Sequence, residues 1–136
     1  MIDIAALHEL ADIHNIIIDR IDCPKCGSMS LSLDGRCFIG IDKDITRIEE
    51  LVHTAHELGH CETGSFYNRY SKFNVISKYE YKADKWAIQR LIPADELINA
   101  VNEGYTEAWE LAEYFGVTEP FIHRAYDIYK AMSILN

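Results

Sequence analysis

Apolar positions follow two rhythms along this chain, and the change falls near residue 44. Over residues 3–14, Ile4, Leu7, Leu10, Ala11 and His14 recur on one face at helical spacing, and Asp3 is placed to cap the start. The β-branched run Ile16 to Ile21 predicts a buried strand. Met29-Ser30-Leu31-Ser32-Leu33 then alternates apolar and polar, Asp34-Gly35 follows, and Arg36-Cys37-Phe38-Ile39-Gly40-Ile41 continues. Alternation on both sides of Asp-Gly is the pattern of a β-hairpin. Residues 1–43 therefore predict a helix and a small antiparallel sheet.

From residue 44 onward the period is helical. Ile48, Leu51, Val52, Ala55 and Leu58 form an apolar stripe, which leaves His56, Glu57 and His60 on another side. This helix is expected to end near Gly64. Gly59 lies inside it, where glycine costs about 1 kcal/mol relative to alanine, so another backbone is expected to pack close there. Residues 65–77 read as a loop rich in aromatics: Phe66, Tyr67, Tyr70 and Phe73. A second long helix is predicted from about Lys78 to Leu91, with Pro93 ending it or starting the next. Shorter helices follow at 94–102, 106–115 and 118–132, with Thr106 and Thr118 as N-caps and Gly104 and Gly116 as stops. The expected fold class is α+β in one domain over 1–136. A small N-terminal antiparallel sheet with a hairpin (1–43) packs on a helical core (44–92), followed by C-terminal helices (93–136).

Composition narrows the function classes. With 136 residues and 49% apolar side chains, the chain can build one real core. Its formal charge of −9 makes phosphate backbones and membrane surfaces poor partners. The apolar run Ile16-Ile17-Ile18 is far too short to span a bilayer. Met1-Ile2-Asp3-Ile4 shows no basic region before an apolar stretch, so a cytoplasmic location is expected. In that compartment Cys23, Cys26, Cys37 and Cys61 are expected to stay thiols. Cys23-Pro24-Lys25-Cys26 resembles half a zinc knuckle, but it lacks a second pair and reads better as a turn. Cys61 is expected to pack as a small buried hydrophobe.

The chemistry concentrates in His56-Glu57-Leu58-Gly59-His60. Residues four apart on a helix stack on one face, so both imidazoles can reach one metal ion, and Glu57 lies beside them. Catalytic zinc usually takes three protein ligands, and Glu80 is the candidate for the third. Asp84, one turn later, could accept the second ring N–H of a ligating histidine and fix its tautomer. The small Ala83 and Ala87 would let the two helices approach. H-E-x-x-H followed by E-x-x-x-D is the pattern of gluzincin metallopeptidases, and with it the helical core is expected to be zincin-like. In that reading Glu57 is the general base and zinc polarises the scissile carbonyl. His53, Tyr67, Tyr79, Tyr105, His123 and Tyr126 are all candidates for an oxyanion donor. Other roles stay open for these residues. Glu80 could favour the positive end of its helix, Asp84 could pair with Lys82 or Lys85, and His53 could support the site from outside or lie in solvent.

Thr54-Ala55-His56-Glu57-Leu58-Gly59-His60-Cys61 resembles the active-site helix of the ImmA/IrrE family of metallopeptidases. Glu80-Tyr81-Lys82-Ala83-Asp84-Lys85-Trp86-Ala87, running on to Leu91-Ile92-Pro93, is similar to its second signature. Glu107 to Tyr129 resembles the helical segment that often follows. The resemblance covers about residues 45–130. It implies a zinc-dependent endopeptidase that cleaves a helix-turn-helix repressor of a phage or mobile element. It also implies zinc ligands at His56, His60 and Glu80, with Glu57 catalytic. The alternative is a non-proteolytic anti-repressor that sequesters its partner around a structural metal. A third reading takes residues 111–118 and the following helix as a DNA-binding helix-turn-helix. Against it, 106–129 carries Glu107, Glu110, Glu113, Glu119 and Asp127 with only Arg124 as a base.

Overall fold

The computed structural model describes residues 2–135, and its elements are α+β. Helix α1 spans Ile4–Ile13, and Asp3 caps it by accepting a hydrogen bond from the Ala6 amide at 3.0 Å. Leu7 and Ala11 bury its inner face, whereas His14 lies outside it, exposed, and pairs with Glu62. Strands β1 (Ile17–Ile21), β2 (Ser28–Leu33) and β3 (Arg36–Asp42) form one sheet in the order β1-β3-β2.

The β2–β3 hairpin is antiparallel, but β1 pairs with β3 in parallel, so the sheet is mixed rather than wholly antiparallel. The reason lies in the turn between β1 and β2. It arches over the end of β3: Asp42 donates its amide to Gly27 O at 2.8 Å, Lys43 donates to Ile21 O at 2.8 Å, and the Cys23 amide donates to Asp42 Oδ1 at 3.1 Å. The third strand thus slots between the first two. Within β2, Ser28 and Ser30 face inward, and Ser32, near the end of the strand, is exposed. Ser28 and Ser30 sit opposite Ile41 and Ile39, which are buried, while Met29, Leu31 and Leu33 are exposed. β1 is also less buried than its composition suggests, with Asp19 and Arg20 exposed.

Helix α2 (Arg47–Thr63) begins at Thr46, whose hydroxyl accepts from the Glu49 amide, and ends on Gly64 in the left-handed conformation. Leu51, Ala55 and Leu58 are buried, whereas Ile48, in the first turn, is exposed. Helix α3 spans Phe73–Leu91 and starts five residues before the expected Lys78, so Glu80 lies inside it rather than at its start. Lys72 caps it without any side-chain hydrogen bond, which is why the sequence carries no start signal there.

Helices α4 (Ala94–Asn102), α5 (Ala108–Phe115) and α6 (Glu119–Ala131) complete the chain. α5 is capped at Glu107, not Thr106, and the Glu107 amide donates to Glu110. Leu111, Phe115, Val117, Ile122 and Ile128 bury the α5–α6 pair in the same hydrophobic cluster as Leu58 and Ile88. These two helices therefore pack on the core. No helix among the described residues is long and apolar enough to cross a membrane.

Two features lock α2 in place. A Cβ built on Gly59 would lie 2.5 Å from Ala83 O and 2.9 Å from Ala83 Cα, so the α2–α3 crossing requires glycine at that point. On the opposite flank, Cys37 of β3 and Cys61 of α2 form a disulfide, with Cα atoms 5.9 Å apart. This corrects the expectation of four thiols and of Cys61 as a simple hydrophobe. Spacing along the chain carries no sign that these two positions face each other.

Candidate metal centre

His56 and His60 occupy successive turns of α2, with ring centroids 4.8 Å apart and ring planes at 85°. Their Nε2 atoms lie 3.2 Å apart. The Glu80 carboxylate on α3 faces both, with Oε2 2.9 Å from His56 Nε2 and Oε1 3.5 Å from His60 Nε2. Among the described residues these three form the group whose ligand atoms all fall within 4.8 Å of one another. Ligands 2.0–2.1 Å from one tetrahedral zinc ion sit about 3.3 Å apart, and the observed edges straddle that value.

The hydrogen bonds behind the rings decide where the lone pairs point. His60 Nδ1 donates to Ser65 O at 2.6 Å, which leaves Nε2 of the neutral ring as a lone pair. His56 Nδ1 meets Asp84 Oδ1 at 2.7 Å. Two imidazole nitrogens and a carboxylate thus converge on one point, an arrangement that needs a proton or a cation between them. The donor set therefore fits a divalent metal ion. Burial works against charge on His56, but its hydrogen bonds to Asp84 and Glu80 outweigh this and raise its pKa to about 10. Burial likewise pushes Glu80 upward, yet its contacts with the histidines, led by the hydrogen bond from His56, and the hydrogen bond from Tyr67 hold its carboxyl well below the usual range.

A further layer steadies these groups. Arg124 of α6 donates from Nε to Asp84 Oδ2 at 2.9 Å, so Asp84 pairs with Arg124 and His56 rather than with Lys82 or Lys85. The Tyr67 hydroxyl donates to Glu80 Oε1. Burial, then its bond to Glu80, raises the Tyr67 pKa and keeps the phenol protonated. Glu57 lines the cleft over these groups from the sheet side. It is buried, and Ser28 Oγ donates to its Oε2 at 2.7 Å. His53 lies outside the donor triangle, with Nδ1 2.7 Å from Ser28 Oγ.

The cleft over this group has Ser28, Met29 and Ser30 on one side and Phe66 and Tyr67 on the other, with Glu57 and Glu80 in its lining. Of the six candidate oxyanion donors, Tyr67 is the one in that lining. Tyr79 stacks with Lys82, Tyr105 with Tyr114, and His123 is exposed. Cys23 remains a free thiol and Cys26 is exposed, in the turn over β3. Ser28, Ser65 and Arg124 carry no sequence signal of a role, except that Arg124 is the lone base in an acidic stretch. Asp84 answers that anomaly.

The IrrE N-terminal-like domain of peptidase family M78 matches residues 8–126, a span that contains every residue of this centre. No match was found among curated proteins or among solved structures.

Proposed function

The chain belongs to the M78 peptidase family, and from that premise we propose a zinc-dependent endopeptidase whose substrate is a helix-turn-helix repressor of a phage or mobile element. The single observation that carries the metal-dependent reading is the triangle of His56 Nε2, His60 Nε2 and Glu80, with the Glu57 carboxylate lining the same cleft. Zinc held there by His56, His60 and Glu80 would supply Lewis acidity toward a peptide carbonyl and toward water. Glu57 would take a proton from the attacking water and pass it to the leaving amine. Tyr67, kept protonated, would turn its single O–H from Glu80 to the developing oxyanion. Asp84 orients His56 and the Ser65 carbonyl orients His60, which fixes both ring tautomers before substrate arrives. A repressor acts where its operator is, so we place the reaction in the cytoplasm, a reducing compartment in which the Cys37–Cys61 bridge would be open to reduction.

The test incubates a helix-turn-helix repressor from the same genome with purified protein and zinc. Cleavage by wild type and none by Glu57→Gln is the expected result. If Glu57→Gln relieves repression as fully as wild type, the chain is instead a non-proteolytic anti-repressor.

A further inference from the structure

Ser28 is buried, yet it makes two hydrogen bonds and owns only one proton. Its Oγ lies 2.7 Å from Glu57 Oε2 and 2.7 Å from His53 Nδ1. The hydroxyl donates to Glu57, so its one proton is spent there. His53 must then carry its proton on Nδ1 and donate it to Ser28 Oγ. Burial lowers the pKa of His53, which leaves the ring neutral with a single proton to place. The ring is held over the chain as well as bonded to it. A Cβ on Gly27 would lie 2.8 Å from His53 Cε1, so the ring rests on a bare glycine. Gly27 is itself fixed by its amide bond to Cys23 O at 2.9 Å and by the Asp42 amide. The Cys23–Cys26 turn thereby acquires a structural account: it sets Gly27 under His53 and Ser28 against Glu57.

We propose that Ser28 and His53 are positioning residues that hold the Glu57 carboxylate through a directed chain, His53 Nδ1–H to Ser28 Oγ–H to Glu57 Oε2. Ser28 engages Oε2 of Glu57, which leaves Oε1 for the proton of the reaction. A hydroxyl fixes the carboxylate without placing a charge beside it. This inference rests on Glu57 acting as the base of a peptidase, but the hydrogen-bond direction can be read without any catalysis.

Long-range 1H–15N NMR of the metal-free protein is the first measurement. The expected result is a protonated Nδ1 and an unprotonated Nε2 on His53, with that single tautomer lost in Ser28→Ala. A His53 ring protonated only on Nε2 overturns the proposal, because Ser28 would then donate to His53. Turnover is the second measurement, with fluorescently labelled casein and the same repressor as probes of the zinc-loaded protein. Ser28→Ala and His53→Ala are expected to lower kcat by about tenfold to a hundredfold at similar KM and with one zinc per chain retained. Ser28→Thr and His53→Asn, which keep the hydroxyl and the N–H, should recover most of the loss. Wild-type kcat in Ser28→Ala, with Glu57→Gln inactive, sinks the positioning role. Equal hydrolysis by wild type and Glu57→Gln sinks instead the peptidase reading on which it rests, and the NMR result still judges the hydrogen-bond chain.

Discussion

Helix α2 is gripped from two flanks by different chemistry. On the α3 flank the contacts are ionic: His56 faces Glu80 and Asp84, and Asp84 faces Arg124. On the sheet flank an ion pair, Arg20 with Glu50, lies at the first turn of α2, but the contacts beside the site are a hydroxyl and a covalent bond: Ser28 bonds Glu57, His53 bonds Ser28, and Cys37 is joined to Cys61. Of the residues that would hold a cation, His56 answers to the Asp84 carboxylate and His60 to the Ser65 carbonyl. The residue that would move a proton is steadied by a hydroxyl instead. One helix can serve both tasks because its two faces take their partners from different elements. Substitutions on the α3 flank should therefore act on metal content, and those on the sheet flank on turnover and stability.

The largest separation should come from Glu80→Ala. It removes one of the three proposed ligands and with it about 3 kcal/mol or more of metal-binding free energy, on the order of a hundredfold in affinity. Elemental analysis after dialysis is expected to show the zinc-loaded wild type near one metal per chain and the variant near none. Unchanged content would put the third ligand elsewhere.

The sheet flank is probed by opening the disulfide. Cys37 and Cys61 are 24 positions apart, and closing a loop of that size stabilises a fold by about 3 kcal/mol. Denaturant unfolding with and without reductant should show a loss of that order, with zinc stoichiometry intact in the reduced protein. An unfolding midpoint that ignores reductant would mean the sheet does not anchor α2 through this bond.

Gly59→Ala tests the α3 flank by sterics alone. The new Cβ would meet the Ala83 carbonyl at 2.5 Å, where only backbone movement can relieve it. Overpacking of this kind costs about 1–3 kcal/mol, offset by about 1 kcal/mol of helix propensity. A net loss of about 1 kcal/mol is expected, read as a drop in Tm of a few degrees, together with weaker zinc binding as Glu80 moves off the histidines. A variant as stable as wild type would show that the helices part at no cost.

The same two flanks divide what the sequence made legible. The α3 flank was readable because its signals are local. His56 and His60 share a face by spacing, Gly59 announced a close backbone, and Glu80 and Asp84 share a face one turn apart. The sheet flank was not, because every partner there is set by long-range register. Alternation in β2 marked a strand but not which side faces in, and the pairing of Ser28 with Ile41 turns Ser28 and Ser30, not Met29 and Leu31, toward the core. The parallel pairing of β1 depends on a turn that crosses the end of β3, which no dipeptide encodes. Cys37 and Cys61 meet only because β3 packs under α2. The early start of α3 was missed for a simpler reason: Lys72 offers no side-chain cap to read.

A proton count separates the flanks without removing any of the three candidate ligands. In the metal-free protein the His56 pKa stands at about 10, raised from 6.5 against the cost of burial by its bonds to Asp84 and Glu80. Because the folded value is the higher one, protonated His56 contributes stability that is complete below about pH 6.5 and fades as pH rises through 10. A metal must displace that proton, so its apparent affinity should rise about tenfold per pH unit above neutrality, or about 1.4 kcal/mol. Calorimetric titration of zinc at pH 7 to 8, in buffers of different ionisation enthalpy, should find about one proton released per metal bound. Asp84→Asn removes the leading charge beside His56, so it should release fewer protons and bind zinc about tenfold more weakly at the upper pH. Ser28→Ala lies on the other flank and should leave the proton count unchanged. If wild type releases no proton, the carboxylates of α3 do not govern His56. If Ser28→Ala shifts the count as Asp84→Asn does, the two flanks are one coupled network.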